Sequence, residues 1–128
     1  MIIWHAIVLR VLRECGLFSN VQLTGGKVRA FLSPTQFLDV YFDPTSNGYS
    51  YAVIDLTLSQ LGDKRLFGWD DFPHPDYSAL TSLSSYPHHY QERLANGEWQ
   101  FYESTFRGNI EKEIQEIVRV IRKKYFSE

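Results

Sequence analysis

The chain has 128 residues, 44% apolar and 22% charged, with a formal net charge of −2. That length suits one domain spanning 1–128, and that composition argues against a disordered chain. A sequence pI of about 6.1 excludes the strongly basic class whose affinity for nucleic acid is legible from composition, and the lone Cys15 excludes an intrachain disulfide or a cysteine-based zinc site.

The opening run is apolar, but Arg10 and Arg13 interrupt it too early for a membrane span, and no cleavage-site pattern follows. The expectation is a soluble, cytoplasmic chain without a membrane partner. Trp4, Ile7, Val8, Val11, Leu12 and Cys15 fall at helical spacing, with Arg10, Arg13 and Glu14 opposite, and predict a helix that stops at Gly16. His5 reads as a surface or helix-packing residue, and Cys15 as a core thiol.

The period then shortens to two. Val21–Leu23 and Val28–Leu32 flank Gly25 and Gly26 and predict a tight hairpin. Phe37–Phe42 is an apolar strand with one charge, Asp39. Asp43 to Gly48 is dense in turn formers. Tyr49–Leu56 alternates, with Tyr49, Tyr51, Val53 and Asp55 on one face, and Arg65–Asp70 follows. From Asp71 to Asn96 regularity fails, and a functional loop is expected there. Glu98–Glu103 predicts a last strand, with Trp99 and Phe101 on one face.

The final segment is an amphipathic helix. Ile110, Ile114, Ile117, Val118, Ile121 and Tyr125 form its stripe and Asn109 its N-cap, with Glu111 and Glu113 in the first turn and Arg122, Lys123 and Lys124 in the last. Short turns between successive strands imply an antiparallel meander. The predicted class is α+β, with five or six strands packed by an N-terminal and a C-terminal helix.

Chemistry concentrates in Trp69-Asp70-Asp71-Phe72-Pro73-His74-Pro75 and Tyr86-Pro87-His88-His89-Tyr90. Asp and His are the groups most used for acid–base work and for hard or borderline metals, and the prolines stiffen the backbone that carries them. Three readings follow. In the first, His74, His88 or His89 is the acid or base on a phosphodiester and a nearby arginine stabilises the developing charge. RNA brings its own 2′-OH, so this reading needs no metal and no cofactor. In the second, Asp70, His74 and one of His88 or His89 hold a divalent metal, although no spacing matches a zinc signature. In the third, Asp70 and Asp71 make turn hydrogen bonds and the histidines are surface loop residues.

Tyr49 and Tyr51 share a strand face and are candidates for base stacking or for core. The turn at Arg107 offers free N–H groups to a phosphate or is a plain cap. Between residues 32 and 76, seven aspartates face only Lys64 and Arg65. An RNA path over that segment needs basic groups such as Arg10, Arg13 or the last helix nearby.

The runs Tyr49-Ser50-Tyr51-Ala52-Val53-Ile54-Asp55, Leu66-Phe67-Gly68-Trp69-Asp70-Asp71-Phe72-Pro73-His74 and Pro87-His88-His89 resemble the TumE-like family of small prokaryotic proteins, assigned as toxins of type II toxin–antitoxin pairs. That family's pattern is a Tyr-rich strand, a Trp-Asp-Asn-x-Pro-His-His turn, Pro-His-His-Lys-His and a closing helix. The likeness covers roughly residues 37–125. Trp69, Asp70, Pro73, His74, Pro87, His88 and His89 match the pattern. Asp71 stands where the family has Asn, Pro75 replaces a His, and Tyr90 and Gln91 replace Lys-His.

The resemblance implies a toxin whose partner is a cognate antitoxin of helix-turn-helix type. Joined to the first chemical reading, it gives a metal-independent ribonuclease. His74, His88 or His89 would move the proton, Asp70 would orient an imidazole, and Arg107 or Arg65 would stabilise phosphate charge. Tyr49, Tyr51, Trp69 and Tyr90 would contact RNA or the partner. The alternatives are a non-catalytic module that binds an antitoxin through its sheet edge, and a metal-dependent hydrolase built on the Asp/His loop. The oligomeric state stays open.

Overall fold

The computed structural model describes residues 3–126, so Met1 and Ile2 of the apolar start and Ser127 and Glu128 lie outside it. Helix α1 (Ile3–Glu14) leads into seven strands: β1 (Asn20–Thr24), β2 (Lys27–Phe31), β3 (Gln36–Asp43), β4 (Gly48–Asp55), β5 (Arg65–Asp70), β6 (His89–Arg93) and β7 (Trp99–Tyr102). A short helix α2 (Ser78–Thr81) lies between β5 and β6, and helix α3 (Ile110–Phe126) closes the chain. The strands form one antiparallel sheet in sequence order, β1 to β7. The α+β meander is therefore as expected, with one strand more than the upper expectation. The extra strand is β6, inside the stretch read as an irregular loop. No helix among the described residues is long and apolar enough to cross a membrane.

Both long helices cover one face of the sheet. Trp4, Val8, Leu9 and Leu12 of α1 and Ile110, Ile114, Ile117, Val118 and Ile121 of α3 are buried in one cluster with Leu38, Val40, Tyr51, Val53, Phe67 and Trp69 of the strands. Each such side chain contributes roughly 1.5–3 kcal/mol when fully removed from water, so the stripes read from the sequence are what fasten the helices. Gly16 ends α1 with φ 80°, and Gly25–Gly26 forms the two-residue turn between β1 and β2. His5 is buried, with Nε2 3.0 Å from the Gly26 carbonyl, as a helix-packing residue should be. Cys15 is half-buried and its thiol reaches the Leu12 carbonyl.

The other sheet face is more polar. Arg29 makes a two-point bond to Asp39, at 2.8 and 3.0 Å, which accounts for the one charge in β3. Between β4 and β5 the register slips: Val53 faces Phe67, yet Ile54 faces Arg65. Leu66 is the extra residue of a β-bulge. Regular alternation would send Arg65 toward the helices with Phe67 and Trp69. The bulge moves it to the polar face, beside Gly68 and Asp70. Gly68 is required at its place, because a Cβ there would lie 2.5 Å from the Tyr51 carbonyl oxygen.

Candidate functional site

Asp70 is the last residue of β5 and His89 the first of β6, and the two are register partners. Partners across a ladder share a face, so the sheet itself sets this carboxylate and this imidazole side by side on the polar face. Asp70 is buried and His89 is fully so, at 0% exposure. Oδ1 of Asp70 lies 3.4 Å from Nε2 of His89. The same Oδ1 accepts the Phe72 N–H at 2.9 Å, which turns the chain sharply after β5. The turn brings His74 back over the strand ends, with its ring 5.8 Å from that of His89. The Asp70, His74 and His89 ligand atoms all lie within 4.8 Å of one another.

Each ring nitrogen of His89 has its own partner. Nδ1 is 2.8 Å from the Pro87 carbonyl, which can only accept, so Nδ1 carries a proton. Nε2 faces Asp70 and, at 2.7 Å, Oε1 of Gln91. His74 is half-buried, and its ring makes no hydrogen bond to protein among the described residues. It rests against Phe72 and Tyr77. Burial lowers its pKa; the Asp70 carboxylate opposes this, while His89 and Arg65 add to it.

Arg65 completes this group. Its Nη1 is 3.6 Å from Oδ2 of Asp70, and its guanidinium is held on the other side by Asp63 at 2.8 Å. An open groove of about 430 Å³ runs beside the cluster. Tyr41, Ser50, Arg65, Asp70, Phe72 and His74 line it, together with Asp43 and Asp71.

His88 belongs elsewhere. It points to the helix side, where Nδ1 lies 2.9 Å from the Tyr49 hydroxyl and the two rings stack. The Tyr49 hydroxyl donates to the Phe106 carbonyl at 3.1 Å, so it accepts from Nδ1 of His88. Burial and then Arg107 lower the His88 pKa, against the pull of Asp71 and Glu113. Arg107 lies on this side too, and its Nη1 bonds the Ser104 and Phe106 carbonyls at 2.7 Å. The expected catalytic set therefore divides in two. Asp70, His74, His89 and Arg65 meet on the polar face, and His88 and Arg107 meet at the start of α3.

The aromatic candidates need correction. Tyr49 and Tyr51 are 3% and 0% exposed, stacked on each other in the core, and not free to stack on bases. Trp69 is buried against Phe106, and its edge joins half-buried Tyr90 in lining a cleft of about 710 Å³ beside α3. Of the two expected turn bonds only that of Asp70 forms, to the Phe72 N–H; Asp71 instead accepts the Tyr49 N–H of the distant start of β4, at 3.4 Å.

Two residues carry more than their sequence positions suggested. Glu113, read as a helix-dipole charge, is buried and accepts the Tyr51 hydroxyl at 2.8 Å, the Arg107 N–H at 2.7 Å and the Gly108 N–H at 3.2 Å. Burial, and next this carboxylate, raise the Tyr51 pKa far above the usual phenol range. Gln91 is the other, a buried amide against His89; its place opposite Gly68 in the ladder is the only signal that could have found it. No family model, no curated protein and no solved structure matches the chain.

Proposed function

We propose that this chain is the toxin of a type II toxin–antitoxin pair and that it cleaves RNA in the groove beside Asp70, His74 and His89. The motifs shared with TumE-like proteins over residues 37–125 support the toxin part of the reading. The observation that carries the site is the meeting of three motif residues from β5, the following loop and β6, with Arg65 brought beside them by a bulge. Cleavage through the 2′-OH forms the P–O2′ bond and breaks P–O5′, so it needs an acceptor for the 2′-OH proton, a donor for the leaving 5′-oxygen and a cation for charge developing on the phosphate. The Asp70, His74 and His89 set offers the acceptor and, once an imidazole holds the proton, the donor for the leaving 5′-oxygen, and Arg65 offers the cation. The antitoxin would be a helix-turn-helix protein.

The test is induction of the chain alone in a bacterial host, beside His74→Ala, with growth and total RNA followed in both. The His74 ring makes no hydrogen bond to protein among the described residues, so the variant keeps its fold, which a melting curve verifies. Growth arrest and RNA decay are expected for the native chain and not for the variant. Harmless expression of both would overturn the proposal and favour a non-catalytic binding module.

A further inference from the structure

The geometry points to Asp70, His74 and His89 as a binding site for one divalent first-row transition ion, of which zinc is the best fit. Two nitrogens and a carboxylate oxygen are the donors that such ions take in sites with three protein ligands, where a further position stays open to water or substrate. Ligands at about 2.0–2.2 Å from a tetrahedral ion lie about 3.3–3.6 Å from one another. Oδ1 of Asp70 and Nε2 of His89 already stand at 3.4 Å, on two strands of a sheet that keeps them there. The third donor, His74, is within 4.8 Å on a loop whose half-buried ring can turn to close the set.

The surroundings of His89 support the same conclusion. Its Nδ1 proton goes to the Pro87 carbonyl, which fixes the ring with Nε2 toward Asp70; Nε2 faces the Asp70 and Gln91 oxygens and gives up its proton when an ion takes its lone pair. A metal-bound histidine is usually held in this way, by a carbonyl or carboxylate behind it. Gln91 contends for Nε2 and must turn its amide aside when an ion enters.

Charge points the same way. The groove carries Asp43, Asp70 and Asp71 against one arginine, whose own charge is shared with Asp63. That acidic excess, which Arg65 alone does not balance, draws a cation. An ion here would supply that charge and activate a bound water. The ion site stands on the geometry and does not depend on the ribonuclease reading.

The test uses the full chain, stripped with a chelator and then titrated with Zn²⁺ by calorimetry and with Co²⁺ by visible absorption. One ion per chain is expected. Removing His89 empties a fully buried position and endangers the fold, so His74→Ala and Asp70→Asn carry the comparison. Each should weaken binding by at least the roughly 10–100-fold that even outer-shell partners cost, while His88→Ala leaves it unchanged. No stoichiometric binding by the native chain, or equal binding by His74→Ala, would overturn the site. RNA cleavage by a chain that takes up no ion in the titration overturns the site and leaves the ribonuclease standing. Stoichiometric binding without any cleavage supports the site and removes the ribonuclease.

Discussion

His89 and Asp70 face each other across the β5–β6 ladder at 3.4 Å, and the imidazole is fully buried. A histidine in that position has its ring nitrogens committed to Pro87 on one side and to Gln91 and Asp70 on the other. His89→Ala should leave a cavity the size of the ring and strip these groups of a partner. The expected loss is about 3 kcal/mol in urea denaturation at neutral pH. His74→Ala should cost less than about 1 kcal/mol, because its ring is half-buried and not hydrogen-bonded to protein among the described residues. Equal costs at the two sites would contradict the placement of His89.

Gly68 is the point where β4 and β5 come closest. An added Cβ would lie 2.5 Å from the Tyr51 carbonyl oxygen and 2.9 Å from the Ala52 Cα, and both are backbone atoms that cannot swing away. Gly68→Ala should therefore push the strands apart. A loss of about 3 kcal/mol or failure to fold is expected, at the upper end for overpacking. The same change at Gly26, where nothing stands within 4 Å of the built Cβ, is the control and should fall within about 0.5 kcal/mol of the native chain.

The helices and six of the strands were legible because their apolar residues repeat at the right period. Trp4, Val8 and Leu12, or Ile110, Ile114, Ile117 and Ile121, state a buried face without any tertiary knowledge. The strand β6 was not legible. His89-Tyr90-Gln91-Glu92-Arg93 has no β-branched residue and one aromatic, and it is extended because β5 and β7 satisfy its backbone on both sides. The site suffered from the same gap. Asp70 and His74 were visible as motif residues, but choosing His89 over His88 requires knowing that a strand starts at His89 and sends neighbours to opposite faces. Arg65 and Arg107 could not be separated either, since the bulge at Leu66 that redirects Arg65 leaves no mark in composition.

Glu113 joins three donors to the start of α3, and none of them has another acceptor among the described residues. Glu113→Ala would bury the Tyr51 hydroxyl and the Gly108 N–H without partners. With bonds to a charged group worth about 1.5–3 kcal/mol, a loss of about 3 kcal/mol is expected by denaturation. Tyr51→Phe removes one donor and leaves the carboxylate its two backbone bonds, so it should cost about half as much. If Glu113→Ala were as mild as Tyr51→Phe, the carboxylate would not be what holds the Arg107 turn.

Glu103 ties the end of β7 to the segment before β6. Its carboxylate accepts the Ser84 and Ser85 N–H groups, each at 2.8 Å, and these bonds hold its pKa down at about 2. A carboxylate with a lower pKa in the folded chain than in the unfolded one adds stability above the ordinary carboxylate pKa. That contribution is present in full above about pH 4.5 and fades as the pH falls toward 2. Glu103→Gln cannot titrate and offers one oxygen to two donors. It should be less stable than the native chain at pH 7, and the difference should shrink steadily between pH 4.5 and 2. Because the carboxylate is solvent-exposed, added salt should narrow the difference further. Melting curves of both chains across that range, at low and high salt, measure it. A gap that stays constant down to pH 2 would show that the two Ser N–H bonds do not select the charged form.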